Sequence, residues 1–396
     1  MLLDEIKKLS HRYAQDTVAI RRHLHAHPEL SYQEYNTAKF VAAKLKEFGL
    51  SPLEGIAGTG IVALVEGKNP AKKIIALRAD MDALPIQETN MVSYQSQNPG
   101  VMHACGHDVH TASLLGTAKI LSEVRNEFEG SVKLIFQPGE EKNPGGALMM
   151  IKEGVLENPK PHAIMGQHVM PLVPVGKVGF REGMYMASSD EIYLNVIGKG
   201  GHGAAPELAV DPVVIASHII IALQQIVSRN ASPKQPTVLT FGKISAEGAT
   251  NIIPGEVKIA GTFRALNELW REDGLRKIKK MAEGIAESMG GRCDVEISKG
   301  YPYLENNPAL TQRMRQAAEA YLGEENVVDI DLTLGSEDFA YYSHQIPASF
   351  YRLGTRNDAK GITSYVHTPT FDIDETALSI GPGLMAWMAL KELMEK

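Results

Sequence analysis

KIIALRADMD, residues 73–82, is the stretch on which the fold turns. The apolar run Ile74 to Leu77 is of the kind found in a strand whose sheet is covered on both faces, and its polar residues gather at the C-terminal end, at Asp80 and Asp82. Companion strands are read in GIVALVEG (60–67), SVKLIFQPGEE (131–141) and AIMGQHV (163–169). Between them lie helical patterns. One covers 4–24, and a second runs from Ser31 to Phe48 with Gly49 as its C-terminal cap. A third, HTASLLGTAKIL, repeats apolar residues near helical spacing. Helices alternating with apolar strands predict an α/β layer architecture with a central sheet flanked by helices. The polar residues again fall at strand C-terminal ends: Glu140 and Glu141, then His168. In open α/β sheets that rim is where ligands bind.

Near residue 186 the pattern changes. DEIYLNVIGKG (190–200) alternates as a half-buried strand does, and 211–230 reads as a long helix. Strands at 237–246 and 256–266, a charged amphipathic helix at 268–290 and a strand at 292–300 follow. The order β-α-β-β-α-β is the split unit of ferredoxin-like sheets. The expected organisation is therefore a catalytic domain over 1–186 and 299–396, interrupted by an inserted α+β domain over 187–298. From residue 300 the α/β pattern returns: a helix from Asn307, the strand ASFYRLGT, and a terminal helix interrupted at Gly381-Pro382-Gly383.

A chain of 396 residues has room for two domains. The formal net charge of −7 gives no sign of a nucleic-acid partner. Cys105 and Cys293 are the only cysteines, which excludes a disulfide framework and fits a reducing compartment. The N-terminal stretch MLLDEIKKLSHRYAQD has no apolar core of signal-peptide type, and no uninterrupted apolar run is long enough to span a bilayer. The expectation is a cytoplasmic protein without a membrane partner.

MHACGHDVH, residues 102–110, carries the densest chemistry. Thiolate and imidazole are first-rank ligands for divalent transition metals. Cys105 and His107, one residue apart, cannot share a helical face, but they can converge from a sharp turn that Gly106 permits. Alone, the segment reads equally well as a polar loop with a buried thiol. Glu140 and Glu141 end a strand, and neighbours in extended chain point to opposite sides. One would bind metal while the other faces a water, a division suited to hydrolysis. His168 on the same rim strengthens the metal reading.

RRHLHAHPELSYQE (21–34), LRADMDALPIQE (77–88), MHACGHDVHTA, FQPGEE, GGHGAAPE (200–207), GSEDFAYY (335–342) and VHTP (366–369) stand in family order. With them the chain resembles, nearly end to end, the amidohydrolase branch of the aminoacylase and carboxypeptidase metallohydrolase superfamily. The resemblance implies a metallopeptidase-like catalytic domain with a central mixed sheet, an inserted lid, and two divalent ions (zinc, manganese, nickel or cobalt). It assigns Cys105, His107, Glu141, His168 and His367 as ligands and Glu140 as general base. Asp80 would orient a ligand or the base from behind. Arg78 stands where the superfamily often has the His of a His-Xaa-Asp motif, and it cannot be a ligand; on the residues alone, Asp80 is a strand-end carboxylate paired to Arg78. In the lid, His202 would stabilise an oxyanion, and Asn251 and Arg264 would grip a substrate carboxylate. The implied substrate is a small N-acyl amino acid, and the resemblance admits a homodimer or higher homo-oligomer assembled through the lid. Two other readings stay open: a thiol hydrolase with Cys105 as nucleophile, and a non-catalytic metal- or peptide-binding scaffold. His23, His103 and His110 have no assigned role.

Overall fold

The structure, a computed structural model, describes residues 1–395. The chain runs α1 (Leu2–Arg12), α2 (Ala14–Ala26), α3 (Tyr35–Glu47), β1 (Leu53–Ile56), β2 (Gly60–Glu66), β3 (Ile74–Asp80), α4 (His107–Glu123), β4 (Ser131–Gln137), α5 (Gly146–Lys152), β5 (Ala163–Pro174) and β6 (Val178–Phe180). Next come β7 (Gly183–Met186), β8 (Asp190–Ile197), β9 (Gly201–His202), α6 (Pro212–Gln225), β10 (Val238–Ala246), β11 (Ile252–Ile253), β12 (Glu256–Arg264), α7 (Glu268–Ser288), β13 (Arg292–Lys299) and β14 (Leu304–Asn306). α8 (Pro308–Leu322), β15 (Val327–Asp329), α9 (Ala340–Ser343), β16 (Ala348–Arg356) and α10 (Gly381–Met394) follow. Two compact units result: Met1–Gly183 with Glu305–Asp331 and Asp338–Lys396, and Met184–Leu304 with Leu332–Glu337.

The first unit is built on an eight-stranded mixed sheet in the order β1-β2-β4-β3-β5-β16-β6-β15. β3 lies inside it, parallel to β4 and β5, and every one of its residues is buried. β16 runs parallel to β5, so the C-terminal ends of these four strands share one edge. α4 and α10 pack together, with Leu114, Leu115, Leu121, Leu384, Met388 and Leu390 fully buried. Burying each such side chain is worth about 1.5–3 kcal/mol. The helices approach closely: a Cβ on Gly116 would lie 2.9 Å from the Pro382 ring.

Several elements differ from the sequence reading: β5, read as ending at 169, runs on to Pro174 with His168 inside it, and α3 starts at Tyr35, not Ser31. The N-terminal helix is two helices, because Tyr13 takes φ −93°, ψ 5° and ends α1. β4 stops at Gln137, so Glu140 and Glu141 lie in a loop beyond the strand. Gly381-Pro382-Gly383 opens α10 instead of interrupting it, since a proline in the first turn gives up an N–H that has no intrahelical partner anyway.

α2 is tied to α4 by a buried charge cluster. Arg21 Nε donates to Asp108 Oδ2 at 2.7 Å, and the same oxygen accepts from His25 Nδ1 at 2.8 Å. Burial alone would raise the Asp108 carboxyl, but the charges of Arg21 and His25 outweigh it and hold the group well below the usual carboxylate range. A depressed folded pKa gives stability that is full above the unfolded value of about 3.9 and is lost as pH falls below it. Asp108→Asn is expected to cost about 1–3 kcal/mol, since Arg21 and His25 lose a charged acceptor while Arg21 keeps its ion pair with Asp372 at 2.8 Å. It should also flatten the fall in stability below about pH 4. Denaturant unfolding across pH measures both, and an unchanged acid limb would remove Asp108 as its cause.

In the second unit β10-β12-β8-β13 form an antiparallel sheet. Ile192, Leu194 and Val196 of β8 are buried alternately beneath α6 and α7, completing a β-α-β-β-α-β unit. Pro212–Asn230 is, among the described residues, the one helix long and apolar enough to cross a membrane, with a mean hydropathy of 1.4. The sequence reading found no such run, because Ser217, His218, Gln224 and Gln225 interrupt it. Ile215, Ile219, Leu223 and Ile226 of this helix form part of the unit's own core.

Candidate metal centre

The shared edge of β3, β4 and β5 brings five side chains of the first unit together. Gly106 caps α4 with φ +83°, and a Cβ there would meet Val169 Cγ2 at 2.6 Å. Only glycine fits on both counts. The turn it makes points Cys105 and His107, on either side, into the same space. His168 projects from β5, where its Cα pairs with that of Arg352 on β16. Gly139, at φ +57°, turns the chain after β4 and so presents Glu140 and Glu141. The two glutamates follow in a loop and not in extended strand, and their carboxylates lie within 4.8 Å of each other and of a ring nitrogen of His107. His367 comes from the loop after β16, with φ +62°, and its N–H donates to Ala104 O at 2.7 Å.

Cys105 Sγ lies 3.5 Å from His168 Nε2 and 3.3 Å from His367 Nε2. His367 Nε2 is 3.2 Å from Glu141 Oε1, which is 3.9 Å from His107 Nε2. Two triads of donor atoms, each within 4.8 Å of one another, share the sulfur: Cys105, His107, His168 and Cys105, Glu141, His367. A third group, His107, Glu140 and Glu141, sets Glu140 beside them. His107 Nε2 is buried without a hydrogen-bond partner, and the buried Glu141 Oε1 faces the His367 imidazole. An orphaned imidazole nitrogen in a nest of thiol, imidazole and carboxylate fits divalent ions. Burial raises the Cys105 thiol, while the hydrogen bonds with Cys105 and Glu141 push His367 up to about 10. Ions bound here would displace those protons.

The supports behind the ligands were only partly foreseen. Asp82 Oδ1 accepts from His107 Nδ1 at 3.1 Å, and its Oδ2 accepts from Glu141 N at 3.0 Å and Ser31 Oγ at 2.6 Å. One carboxylate thus fixes two ligands, although the sequence reading gave it no role. Asp80, expected to orient a ligand or the base and to pair with Arg78, accepts from His110 Nδ1 and Arg78 Nη1, both at 2.6 Å, and its Oδ2 lies 3.8 Å from His107 Nε2. His168 is held by its own Nδ1, which donates to Val169 O at 2.8 Å. Glu140 is buried, and its Oε1 lies 3.4 Å from the Asp338 N–H. Asp82→Ala is expected to weaken metal affinity about 10–100-fold, as read by competition with a chromophoric chelator. Unchanged affinity would show that His107 and Glu141 hold their places without it.

Within the second unit, β9 pairs with β11, which sets His202 opposite Ile252, and Gly203 N donates to Asn251 O at 2.8 Å. His202 and Asn251 are thereby neighbours, both exposed. Arg264 ends β12, half-buried, with Nη1 3.4 Å from Ser336 Oγ.

A Bacillus subtilis protein whose structure is described as that of a dinuclear metal binding peptidase from the M20 family superposes with a TM-score of 0.84 at 35% identity, covering 97% of this chain and 99% of that one. An N-acyl-L-amino acid amidohydrolase of Geobacillus stearothermophilus is 43% identical over 301 residues, 76% of this chain and 80% of the relative. An N-acetyl-L-cysteine deacetylase of Bacillus subtilis (strain 168) is 40% identical over 361 residues, 91% of this chain and 84% of the relative. The family model of Peptidase family M20/M25/M40 matches residues 76–390, a span that holds all five clustered side chains and both glutamates, and the chain belongs to that family.

Proposed function

We propose that the protein is a binuclear metal-dependent amidohydrolase that cleaves N-acyl amino acids to a carboxylate and a free amino acid. The carrying observation is the sulfur of Cys105 shared between two donor triads, with Glu140 packed beside them. Cys105, His107, Glu141, His168 and His367 would hold the ions, with zinc favoured by the thiolate and imidazoles and manganese, nickel and cobalt as alternatives. When bound, such ions supply Lewis acidity, polarising the scissile carbonyl and lowering the pKa of water.

The remaining work belongs to the chain. Glu140 takes a proton from the attacking water at a carboxylate oxygen. As the C–N bond breaks, it delivers that proton to the amine nitrogen. Its burial keeps bulk water from competing for the proton. Asp80 steadies the surroundings through His110. To the second unit we assign His202 as donor to the developing oxyanion, with Asn251 and Arg264 taking the substrate carboxylate. The glycine turn at 200–203 and the pairing of His202 with Ile252 support that assignment. The relatives named as an N-acyl-L-amino acid amidohydrolase and an N-acetyl-L-cysteine deacetylase support the substrate class. Assembly into a homodimer or larger homo-oligomer through the second unit belongs to the same proposal. Against a thiol nucleophile stands the burial of Cys105, which raises its pKa where a nucleophile needs it lowered.

The test is a panel of N-acetyl, N-benzoyl and N-indoleacetyl amino acids, each assayed with zinc, manganese, nickel or cobalt loaded. Amine release from part of the panel, abolished by chelator and restored by metal, is the expected result. Turnover that persists in chelator and stops with iodoacetamide would move the chemistry to the thiol. No turnover of any member by metal-loaded protein would revive the non-catalytic scaffold.

A further inference from the structure

Arg78 is fully buried on β3, at a position where the resemblance led one to look for a histidine. Its guanidinium reaches three partners at once. Nε donates to Gln137 Oε1 at 2.9 Å, Nη1 to Asp80 Oδ2 at 2.6 Å, and Nη2 to Asp338 Oδ1 at 2.8 Å. Each partner leads onward.

On one side, Asp80 Oδ1 accepts from His110 Nδ1 at 2.6 Å, and His110 Nε2 accepts the Val169 N–H at 2.9 Å. Val169 follows His168, whose Nδ1 donates to Val169 O. The backbone beside this ligand is therefore gripped at both its N–H and its carbonyl. On the other side, Asp338 also accepts from Gln137 Nε2 at 2.8 Å and from Ala147 N at 2.9 Å, and its own N–H faces Glu140 Oε1 at 3.4 Å. Hydrogen bonds thus lead from the strand bearing His168, through one guanidinium, to the Asp338 side chain, and the backbone N–H of that same residue faces the Glu140 carboxylate.

We propose that Arg78 is a positioning residue that sets the placement of Glu140 relative to His168, with Asp80–His110 and Asp338 as its two arms. This rests on the reading of Glu140 as general base and His168 as metal ligand. The residue type follows from the geometry: a planar fork of five N–H donors can serve three acceptors in fixed directions, whereas an ammonium is a point charge without that directionality. A role limited to neutralising Asp80 and Asp338 would need the charge and not the fork. It would also leave His110 without a purpose.

The test uses full-length Arg78→Lys and His110→Gln proteins loaded with Co²⁺. Absorption in the visible and thiolate charge-transfer region is recorded without substrate, and kcat and KM are measured on the best N-acyl amino acid. Arg78→Lys keeps the charge. The expected result is unchanged cobalt stoichiometry, shifted cobalt bands in both variants, and kcat reduced at least about tenfold with KM within about threefold. His110→Gln leaves the ion pairs of Arg78 in place, so it keeps the question answerable if Arg78→Lys fails to fold. Cobalt bands identical to the parent's would overturn the proposal, whatever happens to thermal stability. If the parent protein turns nothing over, the functional reading fails by itself, and the substrate-free spectra still decide the role of Arg78.

Discussion

A Glu140→Gln variant is expected to bind its full complement of metal and to turn substrate over about 10²–10⁴-fold more slowly, the range typical of losing a general base. The amide keeps the size of the side chain and a carbonyl oxygen facing the Asp338 N–H, so folding should be little affected. It cannot accept a proton from water. Glu141→Gln is the control. Its carboxylate lies among the donor atoms, with Oε1 3.2 Å from His367 Nε2, so the amide should mainly lose metal. Elemental analysis beside kcat separates the two. Equal metal depletion in both variants would contradict the division of labour between these neighbours.

Cys105→Ala is expected to have the other large effect: loss of both ions and of all measurable turnover. The reason is geometric. His168 belongs to one donor triad and His367 to the other, whereas the sulfur belongs to both. His367→Ala should therefore retain more metal than Cys105→Ala. Titration of the apo-proteins with zinc, followed by calorimetry, gives the stoichiometries. A Cys105→Ala protein that still binds two equivalents tightly would show that the sulfur is a bystander, and the shared-ligand reading would have to be abandoned.

Much of the fold was legible because its signals are periodic. The buried run in KIIALRADMD and the alternation in DEIYLNVI are direct consequences of which strand faces are covered. The strand-end rule then located His168 and the acidic residues on one edge. What failed to show was aperiodic. The positive φ of Gly139 ends the alternation before Glu140, and nothing in a hydrophobic pattern encodes a backbone angle. Asp80 ends β3 and Asp82 lies two residues beyond, so spacing alone could not say which one meets His107. The answer depends on where α4 begins, which Gly106 and Val169 decide together by close contact. The break at Tyr13 was hidden for a related reason, since the apolar positions continue across it. Arg78 was noticed as a departure, but its partners Gln137 and Asp338 lie 59 and 260 residues away in the chain.

The turn at Gly106 places Cys105 and His107 at the N-terminus of the 17-residue α4. Aligned peptide dipoles put the equivalent of about half a positive charge at such an end. That field favours a sulfur anion and works against cations. A cation centre built there needs negative potential to offset that field; the thiolate of Cys105 and the carboxylate of Glu141 would supply part of it, and the buried carboxylate of Asp82, 3.1 Å from His107 Nδ1, adds to it, whereas that of Asp80 is already paired with Arg78.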